Sequence, residues 1–235
     1  TRPYEKLAGE TDRIYRYYLN EFTRAIEGRN GQIFHLIREM KEAFASIPLS
    51  TVDGKPLIGI VGEIFLRYNA HCNADIVRKV EKLGGKTHTA PISEWFYYTN
   101  LGYIYESWMR GKLGSLTVAV LSDLIQKRDE KRLGHRQPSA LKLIQKASPY
   151  LHYTFKGEAI LTVGKAVDLI QHGAAGIINI MPFTCMPGTV VSAAMRRIRE
   201  KHQGIPWLDL PIDGSEGANL ETRLEAFMHQ AHEFK

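Results

Sequence analysis

Two short apolar runs, Pro56–Gly62 and Gly176–Ile180, constrain this chain more than any other feature. Each is rich in isoleucine, fenced by glycine and free of polar alternation, as expected of a strand buried on both faces of a sheet. Two weaker runs, Lys86–Ala90 and Pro206–Leu210, complete a set of four. Helical patterns separate them. The first, about Asn73 to Leu83, opens on Asn73 and Asp75 and closes at Gly84-Gly85; the next runs from about Glu158 to His172 and closes at Gly173. Further helices are expected over Thr189–Lys201 and Asn219–Glu233. Strands alternating with helices through short turns specify a parallel sheet with right-handed crossovers and helices on both faces. The expected fold is therefore doubly wound α/β, flavodoxin-like or half-Rossmann, with strand order 2-1-3-4.

Two segments stand apart from this alternation. Residues 1–55 read as a helical lead-in, with Ile14, Tyr17, Tyr18, Phe22 and Ile26 at helical spacing, then Phe34, Ile37, Met40 and Phe44 after a glycine break. Within the α/β domain, 56–235, a helical insertion is expected over about 93–148, rich in aromatic residues between Trp95 and Trp108.

The strand order carries functional weight, because ligands of such sheets collect beyond the carboxyl ends of strands one and three, where the order reverses. The loops meeting there are Gly62–Asn73 and Met181–Gly188. The first concentrates Glu63, Arg67, Asn69, His71 and Cys72; the second holds Cys185 between Pro182 and Pro187, at the start of a helix whose N–H groups favour an anion or thiolate. Glu63 and Arg67 fit either an ion pair locking the loop or ligand contact. Cys72 fits packing better than ligation, since free cysteine commonly behaves as a small hydrophobe. Cys185 fits an inert buried thiol, a nucleophile, or a metal ligand; its own loop has no histidine to serve as base. Beyond the second strand, Ser93 is expected to cap a helix and Glu94 to sit in its first turn.

Composition narrows the function classes. Hydrophobic residues make up 44% and charged residues 24% of 235, the balance of an ordinary globular protein. No run approaches the about 18 apolar residues that a membrane span needs, and no signal peptide is evident, so the expected location is cytoplasmic, with no membrane partner. The charge of +6 comes from 31 basic residues interleaved with 25 acidic ones, as in 126–132. That pattern marks a solvated helical face and argues against nucleic acid, while suiting an acidic ligand or a nucleotide-bearing thioester. Two cysteines exclude a disulfide scaffold and cannot alone complete a metal site. The Walker loop, GxGxxG, GxSxG, HExxH and CxxC motifs are all missing. The chain opens on Thr1, as a processed product or a piece of a longer polypeptide would.

Several strings together resemble a known family: Gly59-Ile60-Val61-Gly62-Glu63-Ile64-Phe65-Leu66-Arg67, Ala90-Pro91-Ile92-Ser93-Glu94-Trp95, Lys156-Gly157-Glu158-Ala159-Ile160-Leu161-Thr162-Val163-Gly164, Met181-Pro182-Phe183-Thr184-Cys185-Met186-Pro187-Gly188 and Thr222-Arg223-Leu224-Glu225-Ala226-Phe227. They are similar to the C-terminal region of the large activase-related proteins of the 2-hydroxyacyl-CoA dehydratase system, and through it to the dehydratase component. The resemblance covers the chain from about Pro56 onward. It implies flavodoxin-like domains around an iron–sulfur cluster of the 4Fe-4S kind, with Cys185 as a cluster ligand and Cys72 as a weaker candidate. It also implies acyl-CoA as ligand and an ATP-dependent activator domain or partner subunit. The dehydratases bring further cysteines from an earlier domain, and this chain adds only Cys72, so the implied cluster is one completed in the intact protein. Any enzyme activity would be a dehydratase-like lyase or its reductive activation. Glu63, Arg67, Asn69 and Glu94 are the expected substrate-binding residues. The alternative is a non-enzymatic module whose aromatic helix docks an activator or partner subunit; a thiol-dependent transferase using Cys185 ranks behind both.

Overall fold

A computed structural model describes residues 1–29, 31–50, 54–112, 138–155, 157–213 and 219–234, with scattered positions between 114 and 128. The chain divides into two compact units, Thr1–Lys55 and Pro56–Lys235. In the first, a 3₁₀ turn at Arg2–Tyr4 precedes α1 (Glu10–Glu27) and α2 (Ile33–Ala45). The Glu5 carboxylate ties down the start of α1 by accepting from the Gly9 and Thr11 amides, both at 2.7 Å. Ile14, Ala25 and Ile47 are its buried apolar side chains.

The second unit is the α/β domain. Its elements run β1 (Leu57–Gly62), α3 (Ile64–Tyr68), α4 (Ile76–Lys82), β2 (Lys86–Thr89), α5 (Ser93–Met109), α6 (Ala140–Ala147), α7 (Glu158–Gln171), β3 (Gly176–Pro182), α8 (Met186–Lys201), β4 (Trp207–Ile212) and α9 (Leu220–Glu233). The strands form one all-parallel sheet in the order β2-β1-β3-β4, as the sequence led us to expect. Most of 113–137, including the charged run 126–132 apart from Arg128, lies outside the described residues; α5 and α6 occupy the two ends of the stretch 93–148.

Successive strand residues face opposite sides, and this pleat separates two cores. Ile58, Ile60, Ile178, Ile180, Leu208 and Leu210 point to one side, where α4 and α9 cover them with Ile76, Val80, Leu224, Phe227 and Met228. Val61 and Ile177 point to the other, beneath α7. There α7 is enclosed from a second direction by α6 and α8. Gly164 lets α6 approach closely, since a Cβ there would collide with the Leu143 carbonyl. Every residue of α7 from Ala159 to Leu169 is consequently buried.

One expectation needs correcting in detail. The connection after β1 is not a plain loop but contains the short helix α3, and the next helix begins at Ile76 instead of Asn73. The Asn73 side chain still serves that turn, accepting from the Ile76 amide at 3.3 Å and donating to the Leu66 carbonyl at 2.6 Å.

Candidate functional site

The carboxyl ends of β1, β2 and β3 meet where the strand order reverses. Gly62 ends β1 with φ +109°, and a Cβ there would strike the backbone of Ile180, so only glycine lets the chain turn this close to β3. The Glu63 amide still donates to the Ile180 carbonyl at 2.8 Å. Its carboxylate then caps α3, accepting from the Phe65 and Leu66 amides at 3.1 and 2.8 Å.

That cap orients α3 so that Arg67 turns inward. Its side chain is 8% exposed, and Nη1 donates to the Ala90 carbonyl at 2.9 Å, where β2 ends. Tyr68 donates its hydroxyl to the same carbonyl at 3.0 Å. Burial draws the Arg67 pKa down, against the opposing pull of Tyr68, Glu94, Glu158 and Glu63. The Nε–H of Arg67 is buried and has no hydrogen-bond partner among the described residues.

Glu94, expected as an ordinary first-turn acid, is 4% exposed and forms an ion pair with Lys165 of α7, Nζ to Oε1 2.8 Å. Ser93 is not the cap: the helix is entered from Ile92, with no side-chain capping bond. The charged chain continues from Lys165 to Asp168 at 3.7 Å, and from Asp168 to Lys146 of α6 at 2.6 Å. Burial raises the Glu94 pKa, while Lys165 and Arg67 oppose the rise.

Two cavities open on this cluster. A small polar one of about 20 Å³ lies among Arg67, Glu94, Glu158, Thr162 and Lys165, room for a water-sized group. Through the shared residues Ile64, Trp95 and Glu158 it adjoins an open groove of about 680 Å³ walled by Phe65, Tyr68 and Ile92. Glu63 and Asn69 line the groove as well. The Asn69 side-chain oxygen is engaged, accepting from the His71 and Cys72 amides at 3.1 Å each.

The cysteines go separate ways. Cys185 is partly buried at the head of α8, where its carbonyl accepts from Thr189, and it lines a narrow crevice with Glu63, Glu158 and Asn179. Asn179 is fully buried and donates to Asp209 at 2.8 Å, a carboxylate that also accepts from the Trp207 indole at 3.0 Å. Cys72 packs against the apolar core on the α4/α9 side. A cubane cluster takes about four thiolates. Among the described residues no three His, Cys, Asp or Glu side chains come together as a metal site. These residues therefore do not fit a cluster held by this chain on its own: it has two cysteines, and Cys72 is turned to packing.

Of the residues singled out from sequence, the fold gathers Glu63, Arg67, Asn69 and Glu94 around two adjoining cavities and leaves Cys72 outside them. Sequence reasoning missed Lys165, Asp168 and Glu158. The clue was present: Lys165 and Asp168 are the charged residues in the otherwise uncharged run 159–169. Among the described residues no helix is long and apolar enough to cross a membrane. Comparison with protein-family models, with curated proteins and with solved structures finds no match to the chain.

Proposed function

We propose that the Pro56–Lys235 unit is an acyl-CoA-binding domain of the kind found in activase-related proteins of the 2-hydroxyacyl-CoA dehydratase system, acting as part of a larger assembly. The unpartnered Arg67 Nε–H carries this reading. A buried polar group without a partner is unfavourable by about 1–3 kcal/mol, and a ligand oxygen entering the polar cavity relieves it. The adjoining groove, with Ile64, Phe65, Tyr68, Ile92 and Trp95, suits the apolar acyl chain. The string resemblance from Pro56 onward supports the thioester. Cys185, at the edge of the same region, supplies one thiolate to a cluster whose other ligands come from elsewhere in the assembly.

Calorimetric titration of the protein with acyl-CoA esters of increasing chain length tests the binding reading. Saturable binding is expected, weakened about tenfold in Arg67→Lys, which keeps the charge but lacks the Nε–H fork. A folded protein that binds no acyl-CoA of any length overturns it. For Cys185, iron and sulfide are counted after anaerobic reconstitution of the complete assembly carrying either the wild-type residue or Cys185→Ala; equal contents remove the ligand role.

A second reading rests on α5, where Phe96, Tyr103, Tyr105 and Trp108 are each more than half exposed. Such a helix is suited to docking an activator or partner subunit. Sedimentation of the protein with that activator, before and after Trp108→Ser, separates the two: an unchanged complex dismisses the docking role.

A further inference from the structure

The groove assigned to the acyl chain has a lining whose chemistry is more specific than apolarity. Its charged residues among the described ones are Glu63 and Glu158; no lysine, arginine or histidine lines it. Of the remaining lining residues Phe65, Tyr68 and Trp95 are aromatic, beside Ile64, Asn69, Ala70 and Ile92. Carboxylates and aromatic rings lining one groove are the elements that recognise an organic cation.

The parts are held in place before any ligand arrives. Tyr68 is pinned through its hydroxyl to the Ala90 carbonyl at 3.0 Å, and Trp95 is packed against Tyr98 with ring centroids 5.8 Å apart. The Glu63 carboxylate is fixed by the two α3 amides. Glu158, in the first turn of α7, accepts from the Ile64 amide at 3.4 Å. Two carboxylates are thus fixed along one groove; burial together with Glu63 raises the pKa of Glu158, against Ile64 and Arg67, and a cation in the groove would favour its charged form. Arg67, which lines the adjoining cavity and donates Nη1 to Ala90, attracts Glu158 and Glu63 from that side. Lys165 is matched by Glu94 in that same cavity. The charged residues that line the groove itself are both acidic.

We propose that this groove binds a small organic cation, an alkylammonium or quaternary ammonium group, seated between the Phe65, Tyr68 and Trp95 rings and balanced by Glu63 and Glu158. The inference rests on the acyl-thioester reading in one respect: the acyl chain the groove takes then carries this positive charge at its far end. The cation site itself needs no thioester, which allows the two to be tested apart.

Choline is the probe, with 3,3-dimethylbutan-1-ol as its neutral isostere, each titrated into the protein and followed by tryptophan fluorescence and by ligand NMR line broadening. Choline is expected to saturate, with affinity at least about tenfold above the neutral alcohol, a difference of the size a partly desolvated cation–π site gives. Glu158→Gln, which keeps side-chain volume, should weaken choline about tenfold and leave the alcohol unchanged. Trp95→Leu checks the wall: choline binding falls while the folded spectrum is retained. Equal binding of choline and the alcohol, or choline binding indifferent to Glu158→Gln, overturns the proposal. Butyryl-CoA and its 4-trimethylammonio derivative are then compared. Choline saturation with no binding of either thioester leaves the cation site standing and removes the acyl-CoA reading; butyryl-CoA binding without any preference for the cationic chain or for choline does the reverse.

Discussion

The two faces of the sheet are built to different specifications. On the α4/α9 side, six strand side chains, all Ile or Leu, meet an apolar helical cover, and among the described residues no buried charged side chain lies on α4 or α9. On the α7/α8 side lie Asn179, Lys165, Asp168 and, against them from α5, Glu94, every one of them less than a tenth exposed. Both faces bury an apolar core, yet among the described residues only this second one carries the desolvation penalty of buried charged groups. Replacing a buried ion pair by apolar side chains is often neutral or stabilising, so stability alone gives no reason for the second face to be charged. Its charges lie next to the cavities at the carboxyl edge, which is where a ligand would make use of them.

This contrast can be broken most severely at Lys165. Lys165→Met leaves Glu94 and Asp168 buried without their shared cation, and urea unfolding should show a loss of roughly 3–5 kcal/mol. Adding Glu94→Gln should recover most of it, because the double variant no longer holds an unpaired carboxylate. On the plain face the corresponding test is Ile178→Ala, expected to lose roughly 2–5 kcal/mol through a cavity that no second-site charge change rescues. If both losses respond alike to the Glu94 substitution, the faces do not differ in kind.

The pH dependence sharpens the distinction further. With its folded pKa raised by burial, Glu94 keeps its proton to higher pH in the folded state than in the unfolded state. Its contribution is fully present below the unfolded carboxyl range and is lost as pH rises through the folded value. Glu94→Gln should therefore flatten the decline in stability on the alkaline side of the ordinary carboxylate range, whereas Ile178→Ala should keep the wild-type slope. The smallest effect is at the edge itself: Glu63→Ala removes the α3 cap and should lower stability by about 1 kcal/mol, read as a small shift of the urea midpoint.

The apolar face was the legible one. Isoleucine runs fenced by glycine announced β1 and β3, and strands alternating with helices through short turns announced the parallel sheet, because binary pattern and turn residues agreed there. The polar face was legible only in part. Arg67 and Glu63 stood out in a connection unusually rich in ionisable groups, but α3 was hidden because five residues carry too little periodicity to register as a helix. Glu94 resembled any acid in a first helical turn, since its partner Lys165 lies far along the chain and the pairing exists only after α5 and α7 dock. Cys72, read as better suited to packing than to ligation, lies beside the site in sequence but packs against the α4/α9 core, since adjacency in sequence does not say to which side of the sheet a side chain will turn.

The order β2-β1-β3-β4 also decides which backbone is left unsatisfied by the sheet itself. The outer strands are β2, four residues long with Lys86 and His88 in it, and β4, in which Pro211 offers no amide hydrogen. A short basic strand on one flank and an interrupted donor row on the other make poor templates for another chain to extend. The sheet is thereby guarded at both margins against edge-to-edge polymerisation, a safeguard against aggregation that its isoleucine-rich central strands could not provide if either stood at a margin.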